Sequence, residues 1–279
     1  MKSAGPTTKS ARNSLRVPFG VSLADGRLYE PRDVALGASC RCICPGCQQA
    51  LYAKHCLGER VAPHFQHAPG TNCNVGYESA LHMAAKQLID EERHLRFPSF
   101  LVHLQVHDAM RIFHQQFEEL SPAGYFSLAE VVLEKAMGSI RPDLIVFAPA
   151  VGPVMVEIAV THFVDDAKLE KVADLKTALL EFDLSHLRTA TFDDLRTALF
   201  GEPASGKWLY HPKDEATKAQ LLLDLQPTLD KASAERATVS FSWRSMFRTH
   251  CFTFGCASIA CAHKNSSAVL PAGVFSRKS

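Results

Sequence analysis

The feature that most constrains the fold is a pair of very apolar segments joined by a turn, RPDLIVFAPAVGPVMVEIAVTH at residues 141–162. Pro149, Gly152 and Pro153 are typical of a hairpin loop, so the segments 143–148 and 154–161 are predicted to pair as antiparallel strands. Strands this apolar are usually buried on both faces, which requires helices to cover the sheet. The hairpin therefore predicts an α/β fold.

Two carboxylates, Asp143 and Glu157, interrupt these apolar strands. An ionised carboxylate in such a strand is costly unless it is paired or bound to a metal. With the hairpin centred near Val151, we expect Asp143 opposite Ala159 and Glu157 diagonal to it on the same face. Carboxylates about 7–8 Å apart at Cα can share one cation. A buried ion pair with Lys or Arg is the alternative, and two converging carboxylates favour a metal site.

The segments around the hairpin alternate between helical and strand patterns. Residues 165–176 are predicted to form a helix capped by Asp165 or Asp166, and 178–184 a strand parallel to the one before it. A further helix is expected over TFDDLRTALF, and YESALHMAAKQLIDEER forms an amphipathic helix ahead of the hairpin. Between that helix and the hairpin, the sequence predicts strands at 100–107, 111–117 and 126–134. The resulting core has the order αβββαβ with a mixed sheet.

Composition limits the classes of protein that this chain can belong to. With 279 residues and 47% hydrophobic content it can bury a core, which excludes disorder throughout. Its 30 basic residues nearly balance its 29 acidic ones, so any nucleic-acid contact must come from local basic patches. The most apolar stretch, 144–160, contains two prolines, a glycine and Glu157, which excludes a membrane span. The N-terminal residues lack a signal-peptide core, so we expect a cytoplasmic protein.

Nine cysteines in a chain without a secretion signal indicate metal binding rather than disulfides. The sequence Cys-Pro-Gly-Cys is typical of a zinc-knuckle turn, in which backbone amides face a thiolate. The downstream HFQH motif and one further cysteine give five candidates for four zinc ligands, with His67 favoured over His64 by its closeness to Cys73: Cys44, Cys47, His64, His67 and Cys73. Packing of buried thiols is the alternative, and it is the interpretation adopted for Cys40, Cys42 and Cys56.

The amphipathic helix carries Glu78, His82 and Lys86 one turn apart, on a flank beside its apolar stripe. These side chains are expected to face a cleft next to the sheet, and a solvated face with i, i+4 charge pairing is the alternative. Beyond Lys231 the chain is basic and rich in aromatic residues, a pattern that suits nucleic-acid binding or a loosely ordered tail. The same segment offers candidate ligands for a second zinc site: His250, Cys251, Cys256, Cys261 and His263.

These motifs together resemble the competence protein CoiA-like family within the PD-(D/E)xK nuclease superfamily. The resemblance covers about residues 40–185 and rests on CPGC at 44–47, HFQH at 64–67, Cys73, ESALHMAAK at 78–86, RPD at 141–143 and VEIAVTH at 156–162. It implies a restriction-endonuclease-like αβββαβ core preceded by a small zinc-binding segment. The implied organisation is a disordered basic tail (1–18), a β-rich zinc-binding segment (19–75), a nuclease-like α/β domain (76–205) and a C-terminal helix with a basic segment (206–279).

The resemblance also implies an activity, which is Mg²⁺- or Mn²⁺-dependent hydrolysis of DNA during uptake, recombination or processing of foreign DNA. Asp143 and Glu157 would hold the metal ion, and Glu78 would be a further ligand or would orient water, with Glu134 as a spare candidate. The superfamily has a lysine where this chain has Ala159. The missing cation is expected from Lys86 or Lys168.

Two other functions remain open on the sequence alone. The first is a DNA-binding or recombination accessory protein with weak or no catalysis, for which the alanine at position 159 is the support. The second is a zinc-dependent scaffold without DNA contact, which the near-zero net charge favours.

Overall fold

The computed structural model describes residues 16–56, 61–187 and 190–253, with side chains described up to residue 239. In chain order its strands are β1 (Arg16–Val17), β2 (Gly20–Ser22), β3 (Leu28–Tyr29), β4 (Gly37–Ile43), β5 (Ala50–Lys54), β6 (His64–His67), β7 (His94–Phe97), β8 (Phe100–His107), β9 (Phe113–Ser121), β10 (Gly124–Ser127), β11 (Glu130–Leu133), β12 (Leu144–Ala148), β13 (Gly152–Ala159), β14 (Ala178–Asp183) and β15 (Gly206–Tyr210). Its helices are α1 (Gly76–Glu92), α2 (Asp166–Leu175), α3 (Phe192–Phe200) and α4 (Asp214–Thr253).

A six-stranded antiparallel sheet forms the N-terminal part, in the order β1-β6-β5-β4-β2-β3. Its core includes Phe19, Leu51 and Phe65, all of which are buried. The predicted basic tail of residues 1–18 is too long by at least two residues, because residues 16 and 17 form β1. Val17 is fully buried and pairs with Phe65, so burial of this valine fixes the strand.

A five-stranded mixed sheet, in the order β11-β12-β13-β14-β15, contains the hairpin. The predicted antiparallel pair is confirmed as β12 and β13, and the predicted parallel crossover is confirmed as β13, α2 and β14. The other two neighbouring pairs, β11 with β12 and β14 with β15, are antiparallel. The protein therefore has an α/β fold with mixed and antiparallel sheets, as the sequence predicts at this level.

Helices cover the two faces of the mixed sheet. Leu81 of α1 belongs to the same buried cluster as Val156, whereas Val172 of α2 packs in a separate cluster with Met155. Because successive strand residues point to opposite faces, the two helices lie on opposite sides of β13. Asp165 caps α2 by accepting a hydrogen bond from the Lys168 amide, one of the two predicted caps.

The region between α1 and the hairpin agrees with the prediction in part, because β8 is the strand expected at 100–107 and β9 overlaps the strand expected at 111–117. Residues 126–134, expected as one strand, are split between β10, which pairs with β7, and β11, which pairs with β12. The backbone turns between them, where the Leu128 amide bonds to Arg93 and the Ala129 amide bonds to Phe147. The core order αβββαβ is therefore interrupted by four additional strands, β7 to β10.

The described residues divide into two compact units, one within 16–105 and 115–224 and the other within 106–114 and 225–253. The first unit contains the six-stranded and the five-stranded sheets, so the predicted boundaries at 75 and 205 lie inside it. In the second unit, the Asp108 carboxylate accepts hydrogen bonds from the Met110 and Ile112 amides. No helix in the described part of the chain combines the length and apolar character needed to cross a membrane.

Candidate metal centre and acidic cleft

Three cysteines and one histidine converge near the start of α1. The ligand atoms of Cys44, Cys47, His67 and Cys73 all lie within 4.8 Å of one another. The Cys44 and Cys73 sulfurs are 4.0 Å apart, and Cys47 Sγ is 3.2 Å from His67 Nε2. Typical Zn–S and Zn–N bond lengths in a tetrahedral site give about 3.8 Å between two sulfurs and about 3.6 Å between sulfur and nitrogen. The cluster could therefore bind a metal ion such as zinc.

The local sequence explains how these ligands meet. Cys44 and Cys47 flank the turn between β4 and β5, and His67 ends the neighbouring strand β6. Burial raises the pKa of the Cys44 thiol to about 12, although the backbone amides of Cys47 and Gly46 oppose this shift by donating to its sulfur. Amides facing a sulfur are the arrangement that the Cys-Pro-Gly-Cys turn predicts.

Gly76, the first residue of α1, leaves room for the sulfurs. A Cβ atom at this position would lie 2.9 Å from Cys44 Sγ and 3.1 Å from Cys73 Sγ, closer than carbon and sulfur pack. The backbone of α1 thus lies directly against the cluster. Any side chain at position 76 would overlap the sulfurs of Cys44 and Cys73, so glycine is required for the ligands to keep these positions.

The remaining cysteine and histidine candidates lie elsewhere. His64 is three residues from His67, so the two side chains point to opposite faces of β6. The Nδ1 atom of His64 lies 2.9 Å from Ala62 O, and His64 is outside the cluster. Cys40 and Cys42 are buried in β4, with each thiol bonded to a backbone carbonyl, consistent with packing. The proposed second zinc site at 250–263 lies outside the side chains that the structure describes.

The second candidate site is a cleft of about 250 Å³. It is lined by residues of the hairpin, of both covering helices and of β14, among them Glu78, His82, Arg141, Asp143, Glu157, His162, Phe163, Lys168 and Glu181. Most of these side chains are ionisable. The cleft is therefore polar and is suited to charged ligands or to metal ions.

The two hairpin carboxylates are closer in register than the sequence analysis expected. Leu144 pairs with Val156, so the same register places Asp143, the residue just before β12, opposite Glu157 and not opposite Ala159. The cause is a shorter loop, because Ala148 already pairs with Gly152, whose φ of +95° permits the tight turn. The expectation that both carboxylates reach one cleft does not depend on this shift.

Asp143 is surrounded by hydrogen-bond donors. His82 Nε2 lies 2.8 Å and the Ile158 amide 2.9 Å from its Oδ2, and Lys86 Nζ lies 3.1 Å from its Oδ1. Burial would raise the pKa of Asp143, but the hydrogen bond and charge of His82, the Ile158 amide and Lys86 together lower it to about 2. Asp143 is therefore ionised at neutral pH.

Glu157 has the opposite balance. Burial raises its pKa, the nearby charge of Asp143 adds to this effect, and Lys168 only partly offsets it. Lys168 Nζ forms an ion pair with Glu157 Oε1 at 2.7 Å. This lysine reaches the carboxylate from α2, on the side of the sheet opposite α1.

The helix α1 contributes its predicted flank to the cleft. Lys86 is buried and bridges Asp143 to Glu134, whose carboxylate lies 2.8 Å from the lysine nitrogen. Glu134 follows β11 and does not belong to it, a correction to the predicted strand. Glu78 bonds to His162 at 3.1 Å. Glu78, His82 and Lys86 therefore face the hairpin and its flanking loops, not bulk solvent alone.

Sequence reasoning missed Glu181 as a residue of this cleft. In the parallel pair of β13 and β14 it lies directly beside Glu157, and its Oε2 accepts a hydrogen bond from the Val164 amide at 2.8 Å. The signal was the same as for Glu157, a carboxylate in an apolar strand, here ALLEFD. His82, noted only as part of the helix flank, also proves to contact Asp143 directly.

The carboxylates of the cleft have the chemistry that Mg²⁺ and Mn²⁺ require, since both ions prefer oxygen ligands. Among the residues that the structure describes, however, only the Cys3His set brings three or more donor atoms within 4.8 Å of one another. In the cleft, Lys86 and Lys168 form ion pairs with the two central carboxylates, and His82 Nε2 also contacts Asp143. A divalent ion there would have to displace at least one of these cations.

We compared the chain with protein-family models, with curated proteins and with solved structures, and none of them matched it. The arguments about function therefore depend on the two sites. The Cys3His cluster suits a structural metal ion, because four protein ligands leave no open position for a substrate. The acidic cleft is the candidate for chemistry.

Proposed function

We propose that this protein is a metal-dependent nuclease of the CoiA-like type, with a restriction-endonuclease-like core that hydrolyses phosphodiester bonds in DNA. The observation that carries the proposal is the adjacency of Asp143 and Glu157 on paired strands at one cleft, with Lys168 in contact with Glu157. The order of α1, β11, β12, β13, α2 and β14 supports it, since it is the core order αβββαβ with one insertion.

Each residue of the cleft has a role in this proposal. Asp143 and Glu157 would hold Mg²⁺ or Mn²⁺, which would neutralise the scissile phosphate and lower the pKa of the attacking water. Lys168 supplies the cation that the superfamily places where this chain has Ala159, and it can stabilise negative charge that develops on the phosphate. His82 and Lys86 hold the Asp143 carboxylate in position.

A second function is a DNA-binding accessory protein without turnover. One observation favours it, namely that both central carboxylates are already neutralised by protein cations and that the cleft gathers no compact set of three donors in the described residues. Such a protein would use the same fold and the same zinc-binding segment to bind DNA.

Cleavage assays separate these two functions. Purified protein is incubated with single- and double-stranded DNA in Mg²⁺ or Mn²⁺, and the wild type is compared with Asp143→Asn. The control is Asp174→Asn, which changes an exposed aspartate of α2 in the same way. The nuclease proposal expects cleavage that Asp143→Asn abolishes and Asp174→Asn leaves unchanged. Binding of DNA without cleavage in either metal would favour the accessory protein.

A further inference from the structure

One large aromatic side chain lies at the mouth of the acidic cleft. Phe163 lines the cleft, and 52% of its surface is exposed to solvent. Leaving a phenylalanine this exposed forgoes the free energy that its burial would contribute. Single exposed apolar residues are common on protein surfaces, so exposure alone carries no argument. Its neighbours in the loop decide whether this one has a role.

Two carboxylates of the cleft fasten the residues on either side of Phe163. Before it, His162 Nδ1 lies 3.1 Å from Glu78 Oε1. After it, the Val164 amide donates to Glu181 Oε2 at 2.8 Å, and Glu181 is itself buried in β14. The backbone amide of Val164 thus anchors the loop after Phe163, and the exposed His162 side chain contacts Glu78 before it. A ring presented on a fixed loop loses little further conformational entropy when a ligand binds.

The chemistry around the ring indicates what would bind there. The exposed guanidinium of Arg141 lines the same cleft and can donate several hydrogen bonds to a phosphate. A flat aromatic face stacks on nucleobases of any sequence. The cleft volume of about 250 Å³ is below the usual range for drug-sized ligands, which suits a ligand of about one nucleotide.

We propose that Phe163 is a base-stacking residue and that the cleft accepts an unpaired nucleotide, so that single-stranded nucleic acid is the substrate class. This inference rests on the proposed nuclease function and specifies its substrate. Arg141 contacts the phosphate of the stacked nucleotide, which brings the next phosphodiester towards Asp143 and Glu157. Glu78 and Glu181 act as positioning residues, because they fix the loop that carries the ring.

The test measures binding of a fluorescein-labelled 12-nucleotide single strand and of a blunt duplex of the same sequence by fluorescence anisotropy. Ca²⁺ replaces Mg²⁺ as the hard divalent ion, and a gel confirms that the DNA stays intact. Phe163→Leu keeps an apolar side chain without a stacking face, whereas Phe163→Trp keeps the face. Phe117→Leu is the matched control, since Phe117 is 65% exposed and does not line the cleft.

We expect Phe163→Leu to weaken binding of the single strand about 5- to 100-fold, the range for loss of one stacked base. Phe163→Trp should bind like the wild type, and binding of the duplex should be weaker and insensitive to all three substitutions. Equal affinity of the wild type and Phe163→Leu for the single strand would overturn the inference. So would an equal loss in Phe117→Leu.

The cleavage assay with Asp143→Asn keeps this inference separate from the proposed function. If cleavage depends on Asp143 but Phe163→Leu binds and cleaves single strands normally, the nuclease proposal is supported and the stacking role of Phe163 is rejected. If Phe163→Leu weakens single-strand binding while the wild type never cleaves, the stacking role is supported and the proposed catalysis is rejected.

Discussion

Asp143 and Glu157 are neighbours, yet the protein shifts their pKa values in opposite directions. The pKa of Asp143 is lowered to about 2 by His82, an amide and Lys86 against the effect of burial, whereas burial raises the pKa of Glu157 despite Lys168. The free-energy cost of ionising the buried carboxylate therefore differs between the two residues at neutral pH. Asp143 stabilises the fold as an anion, and ionised Glu157 destabilises it.

The lowered pKa of Asp143 predicts a specific dependence of stability on pH. Its contribution is fully present above about pH 4, the ordinary aspartate pKa, and is lost as the pH falls through about 2. Asp143→Asn should lower the free energy of unfolding at pH 7 by about 2 kcal/mol and flatten the loss of stability between about pH 4 and 2. Urea unfolding at several pH values measures this. If the variant lost as much stability as the wild type between about pH 4 and 2, the result would contradict this prediction.

Lys168 is the residue that is proposed to replace the superfamily lysine, and its removal should affect activity more than stability. We expect Lys168→Met to slow DNA cleavage about 10- to 100-fold. Because Lys168 lowers the pKa of Glu157, the acidic limb of the pH–rate profile should also move to higher pH. Lys171→Met, an exposed lysine on the same helix, is the control. An unchanged rate and profile in Lys168→Met would exclude this role.

At the level of residues, the sequence was informative where chemistry and spacing coincide. The Cys-x-x-Cys turn and the downstream His and Cys pointed to the cluster, and a carboxylate within apolar strands pointed to the cleft. The sequence could not show that β14 lies directly beside β13, which makes Glu181 part of the cleft. Nor could it separate His64 from His67 other than by distance along the chain.

At the level of elements, local patterns were sufficient for the hairpin, for α1, α2 and α3, and for the parallel crossover. They failed for residues 126–134, because the break between β10 and β11 depends on pairing with β7 and β12, which are distant in sequence. The hairpin register was also wrong, since a single glycine with positive φ shortened the loop. The hydrophobic periodicity of a segment does not predict which distant strand it pairs with or the exact length of a loop.

The start of α1 makes a prediction at this scale. Alanine favours helices over glycine by about 1 kcal/mol, so Gly76→Ala should stabilise α1 if the position were free. The added Cβ would instead meet two sulfurs of the cluster, and we expect a net loss of about 1–3 kcal/mol together with weaker zinc retention. Thermal unfolding and zinc content measure both effects.

Gly124→Ala in β10 is the control, because a Cβ there meets nothing closer than 3.8 Å. A Gly76→Ala protein that unfolds at the wild-type temperature with full zinc content would show that the helix does not constrain the cluster.

At the level of the whole molecule, the metal cluster connects the two parts of the first unit. Two ligands come from the turn between β4 and β5, one from β6 and one from the segment that leads into α1. A metal ion held there would fix the six-stranded sheet against the helix that carries Glu78, His82 and Lys86. Structural metal binding is thereby linked to the geometry of the cleft.

Zinc content tests this link. The Cys3His cluster of the purified protein should hold one zinc ion, and His67→Ala should lose it and become less stable by a few kcal/mol, because metal binding contributes to folding. His64→Ala should keep both zinc and stability, since His64 lies outside the cluster. Elemental analysis and thermal unfolding provide the measurements. Zinc loss in His64→Ala but not in His67→Ala would refute this ligand set.

The most direct test of the central claim is DNA cleavage titrated with Mg²⁺ and with Mn²⁺, with the wild type beside Glu157→Gln. Because ionised Glu157 is costly to bury, this variant should be at least as stable as the wild type at pH 7, so lost activity cannot be attributed to unfolding. The account predicts metal-dependent cleavage by the wild type and a loss of about 100-fold or more in the variant. Equal cleavage by the two proteins, or no cleavage by the wild type in either metal, would contradict it.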